Sequence, residues 1–331
     1  MFASPIFRLW FFSAFIGWLI LFNLFNDLDF LIEHWYYPAI MVVGAFVAGV
    51  TPEGGGAVAF PVLNIFLNID RTMARDFSLM VQSIGMTSAS IYILSNKANT
   101  LSTYRPLLLF IPVAFVGFLL GMQLLQQIPV YIIQALFLSL ITSFALIYHL
   151  CAHRGSKDWL WAPKISDKIW LLLMLLAGGM CASLFGTGAD IILYTLLVTR
   201  FRLKEKIATH FSIILMASIS ILGFAYRHFY DQALTTYQLQ TWLCAFPVVL
   251  IMAPLGAYVL HRINTEWMLK GIVVLNVGQL LYFLLVNPSF DKLIWASGFT
   301  IVLSLLFYIL LQHLVRQQKQ AESTTATAPI P

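Results

Sequence analysis

Charge is what this chain has least of. Of 331 residues only 10% are Asp, Glu, Lys or Arg, against 60% hydrophobic, which leaves too little polar surface to cover a water-soluble globule, so lipid must solvate the chain. Cysteine is nearly missing too: Cys151, Cys181 and Cys244 form no Cys-x-x-Cys pair, and no disulfide framework is implied. His149 and His153 flank Cys151 at i, i+4 spacing, but with no carboxylate or second cysteine nearby they read as a helix end entering a basic loop, and no metal site is expected. The sequence has no His-Glu-x-x-His pair, nucleophile elbow or nucleotide-binding loop, so it offers no catalytic machinery and requires no cofactor. Period-2 alternation is missing as well, which disfavours a barrel. The net charge of +5 resides in loops beside apolar runs, where it is topological information and no sign of nucleic-acid binding.

What the chain has is long apolar runs. They lie near residues 8–25, 77–95, 105–126, 129–149, 207–226, 238–260, 268–286 and 291–312, each able to span about 30 Å of hydrocarbon. Backbone groups in lipid must be satisfied internally, so the fold class is all-α: a polytopic helical bundle with eight crossings, in one transmembrane domain over residues 1–316. The first run ends in Asn26, Asp27 and Asp29 with no small-residue cleavage site, and reads as an uncleaved first helix. Residues 317–331, rich in Ala, Thr and Pro, read as a disordered tail.

The chain also repeats itself. Gly44–Ser88 aligns without a gap on Gly178–Leu222, with Gly44/Gly178, Gly54/Gly188, Ala74/Ala208, Phe77/Phe211 and Ser78/Ser212 identical; one position further out of step, Pro112/Pro247 and Gly121/Gly256 coincide. A period this long suits two halves of one membrane domain, about 36–149 and 170–286. Each half carries a glycine-broken segment, near 36–68 and 170–199. If both are re-entrant hairpins, the loops with Lys97 and Arg105, with Arg154 to Lys168, with Arg200 to Lys206 and the tail with Arg316 all lie inside, and the acidic loop Asn26–Glu33 lies outside. Single crossings would put the basic loop 150–168 outside, so the positive-inside rule favours hairpins, inverted repeats and two cytoplasmic termini.

The breaks carry the candidate chemistry. In Thr51-Pro52-Glu53-Gly54-Gly55-Gly56, Thr51 suits an N-cap and Pro52 a first helical position, and the glycines strip the first turn of side chains. Gly186-Thr187-Gly188-Ala189-Asp190 repeats the pattern, so two helix N-termini are expected to converge on one small anion near the midplane. Glu53 and Asp190 then have two readings: they titrate and couple proton movement to anion movement, or they stabilise helix starts, as the spacing Thr187-x-x-Asp190 allows. Ser78, Gln82, Gly85 and Ala89 form a polar or small face on the helix after the first break, answered by Ser212, Ser220 and Gly223 in the second copy. Gln82 is the ligand candidate among them, because a buried amide without a partner is costly; Gly85 and Gly223 suit helix packing. Arg75, Asp76, Lys206 and His210 read as solvated at the surface.

The paired segments GVTPEGGGAVAFPVL and FGTGADIILYTLL, each followed by an Ala-x-x-Phe-Ser helix start and a later Pro…Leu-Gly helix, resemble the TauE/SafE family of sulfite exporters. The resemblance implies a bacterial cytoplasmic-membrane permease for sulfite, organosulfonates or related small anions, with the anion and the lipid bilayer as partners and no nucleic acid. It also implies that Gly54, Gly55, Gly56 and Pro61 match the family's first glycine-rich turn and Gly186 and Gly188 the second. Ala189, Asp190 and Thr195 depart from the family pattern.

Overall fold

The structure is a computed structural model, and it describes residues 4–96, 100–150, 157–160, 164–260, 262, 265–286 and 288–326. Apolar composition and lipid leave the backbone one solution, helix, and the described chain is helical almost throughout. Eight helices are long and apolar enough to cross a membrane, as many as the sequence leads one to expect, but the set differs. Ile165–Phe185 qualifies by itself, where the sequence suggests one arm of a hairpin, whereas the described apolar part of the run near 268–286 is the shorter Lys270–Leu285.

The chain divides into two compact units. The first comprises Met1–Val130, Pro163–Tyr194 and Thr209–Ile263, and the second Tyr131–Ala162, Thr195–Ala208 and Asn264–Pro331. In the first unit, α1 (Pro5–Phe25) leads through the short α2 (Leu28–Glu33) to α3 (Tyr36–Val50). After a turn comes α4 (Gly56–Pro61), which continues as a π-helical turn over Val62–Phe66, and then the long α5 (Arg71–Leu94) and α6 (Leu107–Leu124). α7 (Val130–Leu150) follows, largely in the second unit. The chain returns with α8 (Ile165–Phe185) and α9 (Ala189–Thr199), then α10 (Glu205–Ala225), extended by a π turn over Tyr226–Tyr230, and α11 (Thr236–Val259).

Within the first unit α3 packs chiefly on α11, α8 on α6, and α5 on α11. Small residues make these approaches possible. A methyl group at Gly121 of α6 would lie 2.1 Å from Ser183 Oγ and 2.9 Å from Met180 Cα of α8; one at Gly256 of α11 would lie 2.3 Å from the Phe46 carbonyl oxygen and 3.0 Å from Gly49 Cα of α3. In the repeat alignment Gly256 is the counterpart of Gly121, Phe46 of Met180, and Gly49 of Ser183. The two contacts are thus one contact with the halves exchanged. α1 lies outside this core, with Leu9, Phe12 and Ile16 exposed, and is tied on by Trp10 Nε1 to Ser88 Oγ at 3.0 Å and Trp18 Nε1 to the Leu243 carbonyl at 2.8 Å.

The second unit holds most of α7 together with α12 (Thr265–Leu285) and α13 (Phe290–Ala326). Hydroxyls of α7 find partners on both neighbours: Ser139 Oγ donates to the Ala296 carbonyl (3.1 Å), Thr142 Oγ1 to that of Asn276 (3.1 Å), and Ser143 Oγ to that of Thr300 (3.2 Å). Polar groups within apolar helices are satisfied across helix pairs in this way. α13 runs to Ala326, so the polar segment from Gln317, expected as a disordered tail, starts as helix; its Gln, Lys, Ala and Glu are good helix formers. Residues 327–331 lie outside the described ones.

Candidate functional site

Both breaks lie in the first unit and are made by left-handed glycines. Gly54 has φ +70°, Gly186 +75° and Gly188 +108°, conformations that glycine adopts freely and other residues rarely. Gly186 closes α8, its N–H donating to the Ala182 carbonyl at 2.8 Å. The first break departs from expectation. Thr51 closes α3, its hydroxyl donating to the Val47 carbonyl (2.9 Å) and accepting the Glu53 N–H (3.2 Å). The helix starts at Gly56, not at Pro52, because Gly54 at positive φ cannot belong to a right-handed helix.

The structure brings Glu53, Gly54, Gly56, Gln82, Thr187 and Asp190 together. Thr187 Oγ1 donates to the Glu53 carbonyl at 3.3 Å, and these two residues are counterparts in the repeat alignment. A methyl group at Gly54 would lie 2.3 Å from Asp190 Oδ2 and 2.8 Å from both Gln82 Oε1 and Thr187 Oγ1. Gln82 Nε2 donates to the carbonyls of Ser78 (3.0 Å) and Gly186 (2.6 Å), tying α5 to the second break. Other expected contacts turn inward within each broken segment. Gly55 faces the Gly44 carbonyl and Met41 of α3, Ala189 packs on Gly178 of α8, and Gly188 faces Cys181. Gly44–Gly55 and Gly178–Ala189 are again counterparts. At the start of α9 it is Asp190 Oδ1, not the Thr187 hydroxyl, that accepts N–H groups, from Gly188 and Ile191 at 3.0 Å each. Asp190 thereby takes two donors that an anion at this helix start would otherwise use.

A second buried cluster, about 10 Å along α5 from Gln82, contains Arg75 and Asp76, two of the four residues read as surface-solvated; His210 and Lys206 lie apart from it at the start of α10. Arg75 and Asp76 are 2% and 1% exposed, and His210 is buried as well, with Nδ1 at 2.8 Å from the Tyr104 hydroxyl; Lys206 alone of the four is exposed at the helix start. Asp76 Oδ1 accepts from Arg75 Nε (2.9 Å) and Arg227 Nε (3.1 Å), and Oδ2 from Arg227 Nη2 (2.9 Å) and Gln238 Nε2 (3.4 Å). Gln126 Oε1 accepts from Arg75 Nη1 (2.7 Å) and Arg71 Nη2 (3.3 Å), while its Nε2 donates to the Ser183 carbonyl (3.2 Å). The reason for burial is the meeting of four helix ends, those of α5, α6, α10 and α11, which supply each charge with partners better than lipid could. The i, i+4 pair Arg71 and Arg75 at the mouth of a span is the signal that would have found it.

Gly85 packs on Val249 and Ala253, and Gly223 on Phe118, as small residues in membrane helices do. A cavity of about 410 Å³ is lined by Leu21, Phe25, Phe224, Trp242 and other mostly apolar residues, none of them a member of either cluster, and offers an anion little to bind. Among the described residues no group of three or more His, Cys, Asp or Glu gathers as metal ligands; Cys151 and His153 lie outside the described residues.

Glycine-broken helices meeting within an apolar bundle are the architecture of a multi-pass membrane transporter. The chain belongs to the sulfite exporter TauE/SafE family, which it matches over residues 36–283. It is accordingly a transporter of small anions and not an enzyme. Comparison with curated proteins and with solved structures returns no match.

Proposed function

We propose that the chain carries sulfite, organosulfonates or related sulfur-containing anions across a bacterial cytoplasmic membrane by alternating access between two inverted repeats, with both termini cytoplasmic and proton movement coupled to the anion. The observation that carries this reading is the contact between the two breaks through Glu53 and Thr187. Counterpart residues touch where a pseudo-two-fold axis passes, and a site on that axis can be opened to either side by rocking one half against the other.

Helix ends support the hairpins. At the start of α3 the Tyr37 hydroxyl is 3.4 Å from that of Tyr237, and its ring is 4.9 Å from Phe77 near the start of α5. In the second unit Lys157, upstream of α8, pairs with Leu203, and Lys204 binds Asp158 at 2.8 Å just before α10. Contacts of this kind are what a chain that turns back would make. Gly54, Gly56, Gln82, Gly186 and Thr187 are the proposed surroundings of the anion, with Gly54, Gln82 and Thr187 nearest the meeting point, Gly55, Gly188 and Ala189 packing behind them within their own segments, and Thr51 holding the turn.

Flux of labelled sulfite, taurine and sulfoacetate into proteoliposomes tests the transport reading. Saturation and counterflow are expected; flux that rises linearly without counterflow makes the protein a channel, and binding without flux a sensor. Topology is tested separately, in a chain freed of Cys151, Cys181 and Cys244. Cysteines at Lys157 and Lys204 should be shielded from an impermeant thiol reagent in intact cells, and one at Asp27 should react. Labelling at Lys157 from outside would overturn the inverted arrangement.

A further inference from the structure

We infer that Asp190, rather than Glu53, holds the coupling proton, on its Oδ2 atom and shared with Gln82 Oε1, which deepens the proton-coupled reading above and rests on it. The argument starts with Gln82. Its amide donates both N–H groups to carbonyl oxygens, those of Ser78 and Gly186, so its orientation is fixed by chemistry: a flipped amide would set Oε1 against two other acceptors. Oε1 consequently points towards Gly54, where it has no donor.

Asp190 is fixed as firmly. Oδ1 is occupied by the N–H groups of Gly188 and Ile191, and the carboxyl plane then directs Oδ2 to the same place by Gly54, also without a donor. Asp190 is 0% and Gln82 2% exposed. The third oxygen there, Thr187 Oγ1, has one hydrogen, which the Glu53 carbonyl at 3.3 Å and the Asp190 carboxylate both draw on. Two buried acceptors turned to one position are unfavourable unless a hydrogen is supplied there. A proton on Oδ2 supplies it, turning two mismatched acceptors into a donor and an acceptor.

Among the described residues no cation is paired with Asp190 or Gln82 to do this instead. From the first break the facing titratable residue is Glu53, from α8 Cys181, whose thiol interacts with Asp190, and from α9 itself Tyr194 one turn on. α5 presents Ser78 and Gln82, and its arginines are engaged with Asp76 and Gln126. α10 carries its charged groups at its ends, where Arg227 binds Asp76 and Asp231.

The step is a simple proton transfer. An O–H bond forms on Asp190 Oδ2 with a proton from water on one side of the membrane, and breaks to return it to water on the other; nothing is oxidised or reduced. The neutral acid lets an anion approach the breaks, and the carboxylate repels it, so anion and proton travel in the same direction. Gln82 acts as a positioning residue for that proton.

Infrared spectroscopy of the purified full chain at neutral pH reads the proton without any substrate. The C=O stretch of a buried protonated carboxyl group should be present in the wild type and in Glu53→Gln, and missing from Asp190→Asn. A wild type without the band, or a band lost in Glu53→Gln and kept in Asp190→Asn, overturns the assignment. Should Asp190→Asn fail to fold, Asp190→Glu decides, because the band must then shift in frequency. The second measurement is accumulation of methanesulfonate, which stays anionic, in proteoliposomes with and without an inward gradient of one pH unit. The gradient should raise wild-type accumulation by up to about tenfold and leave the ratio for Asp190→Asn near one. An Asp190→Asn protein that still follows the gradient overturns the inference. A protein that shows the infrared band and moves no anion keeps the proton and refutes the transport reading instead.

Discussion

Asp76 and Asp190 are both aspartates buried in the same helical unit, and their surroundings differ in kind. Around Asp76 every lone pair that faces protein meets a donor from Arg75, Arg227 or Gln238. Asp190 has donors on one oxygen only, and its other oxygen faces the carbonyl of an amide whose own hydrogens are spent. Asp76 thereby joins four helix ends through Arg75, Arg227 and Gln238, whereas Asp190 keeps one oxygen turned towards a second acceptor. Burial alone does not separate a structural carboxylate from a working one; the inventory of donors does.

The comparison breaks most visibly at Asp76. Asp76→Ala leaves Arg75 and Arg227 buried without their counter-charge, a loss on the order of 3–5 kcal/mol, and should abolish monodisperse folded protein in detergent; a thermal midpoint equal to that of the wild type would show that the cluster holds nothing together. Gln126→Leu takes an acceptor from both Arg71 and Arg75, costing about 1.5–3 kcal/mol, and should lower the thermal midpoint while the response of flux to a pH gradient stays as it was.

At the break the expected pattern is the reverse. Gly54→Ala forces a methyl group against Asp190, Gln82 and Thr187 and holds alanine at φ +70°, a local strain of about 1–3 kcal/mol; flux should fall below detection in protein that still elutes as folded. Full flux from this variant would remove Gly54 from the site. Gly55→Leu is a poorer probe than the sequence suggests, because Gly55 faces α3 of its own segment and the change would disturb packing and site together. The mildest case is Thr51→Val, which keeps the shape but removes the acceptor of the Glu53 N–H, about 1 kcal/mol; a small drop in thermal midpoint with reduced maximal flux is expected.

Much of this was legible beforehand. Apolar runs gave seven of the eight helices long enough to cross, because lipid demands about 20 apolar residues for each of them; in the sequence Ile165–Phe185 reads as an arm of a hairpin instead. The match of Gly44–Ser88 with Gly178–Leu222 located both breaks, since left-handed turns within a span require glycine. Of the cluster around Asp76 only the i, i+4 pair Arg71 and Arg75 was legible, because Arg227 follows Asp76 by 151 positions and lies at the end of an apolar run, where a charge ordinarily meets water. A π turn over Tyr226–Tyr230 carries it inward instead. The part of Asp190 that caps a helix was visible in the motif, although the capping box it suggested did not form; the direction of its second oxygen was not visible.

Composition, run length and the internal repeat thus determined by themselves that this is a helical membrane protein in two related halves with glycine breaks, because those properties follow from the solvent and from local backbone sterics. Which charges are neutralised, which break glycine faces the other half, and which oxygen lacks a donor were decided only by tertiary structure, because each depends on atoms brought together from positions more than a hundred residues apart, and hydrogen-bond partners are assigned by distance in space and not by order along the chain.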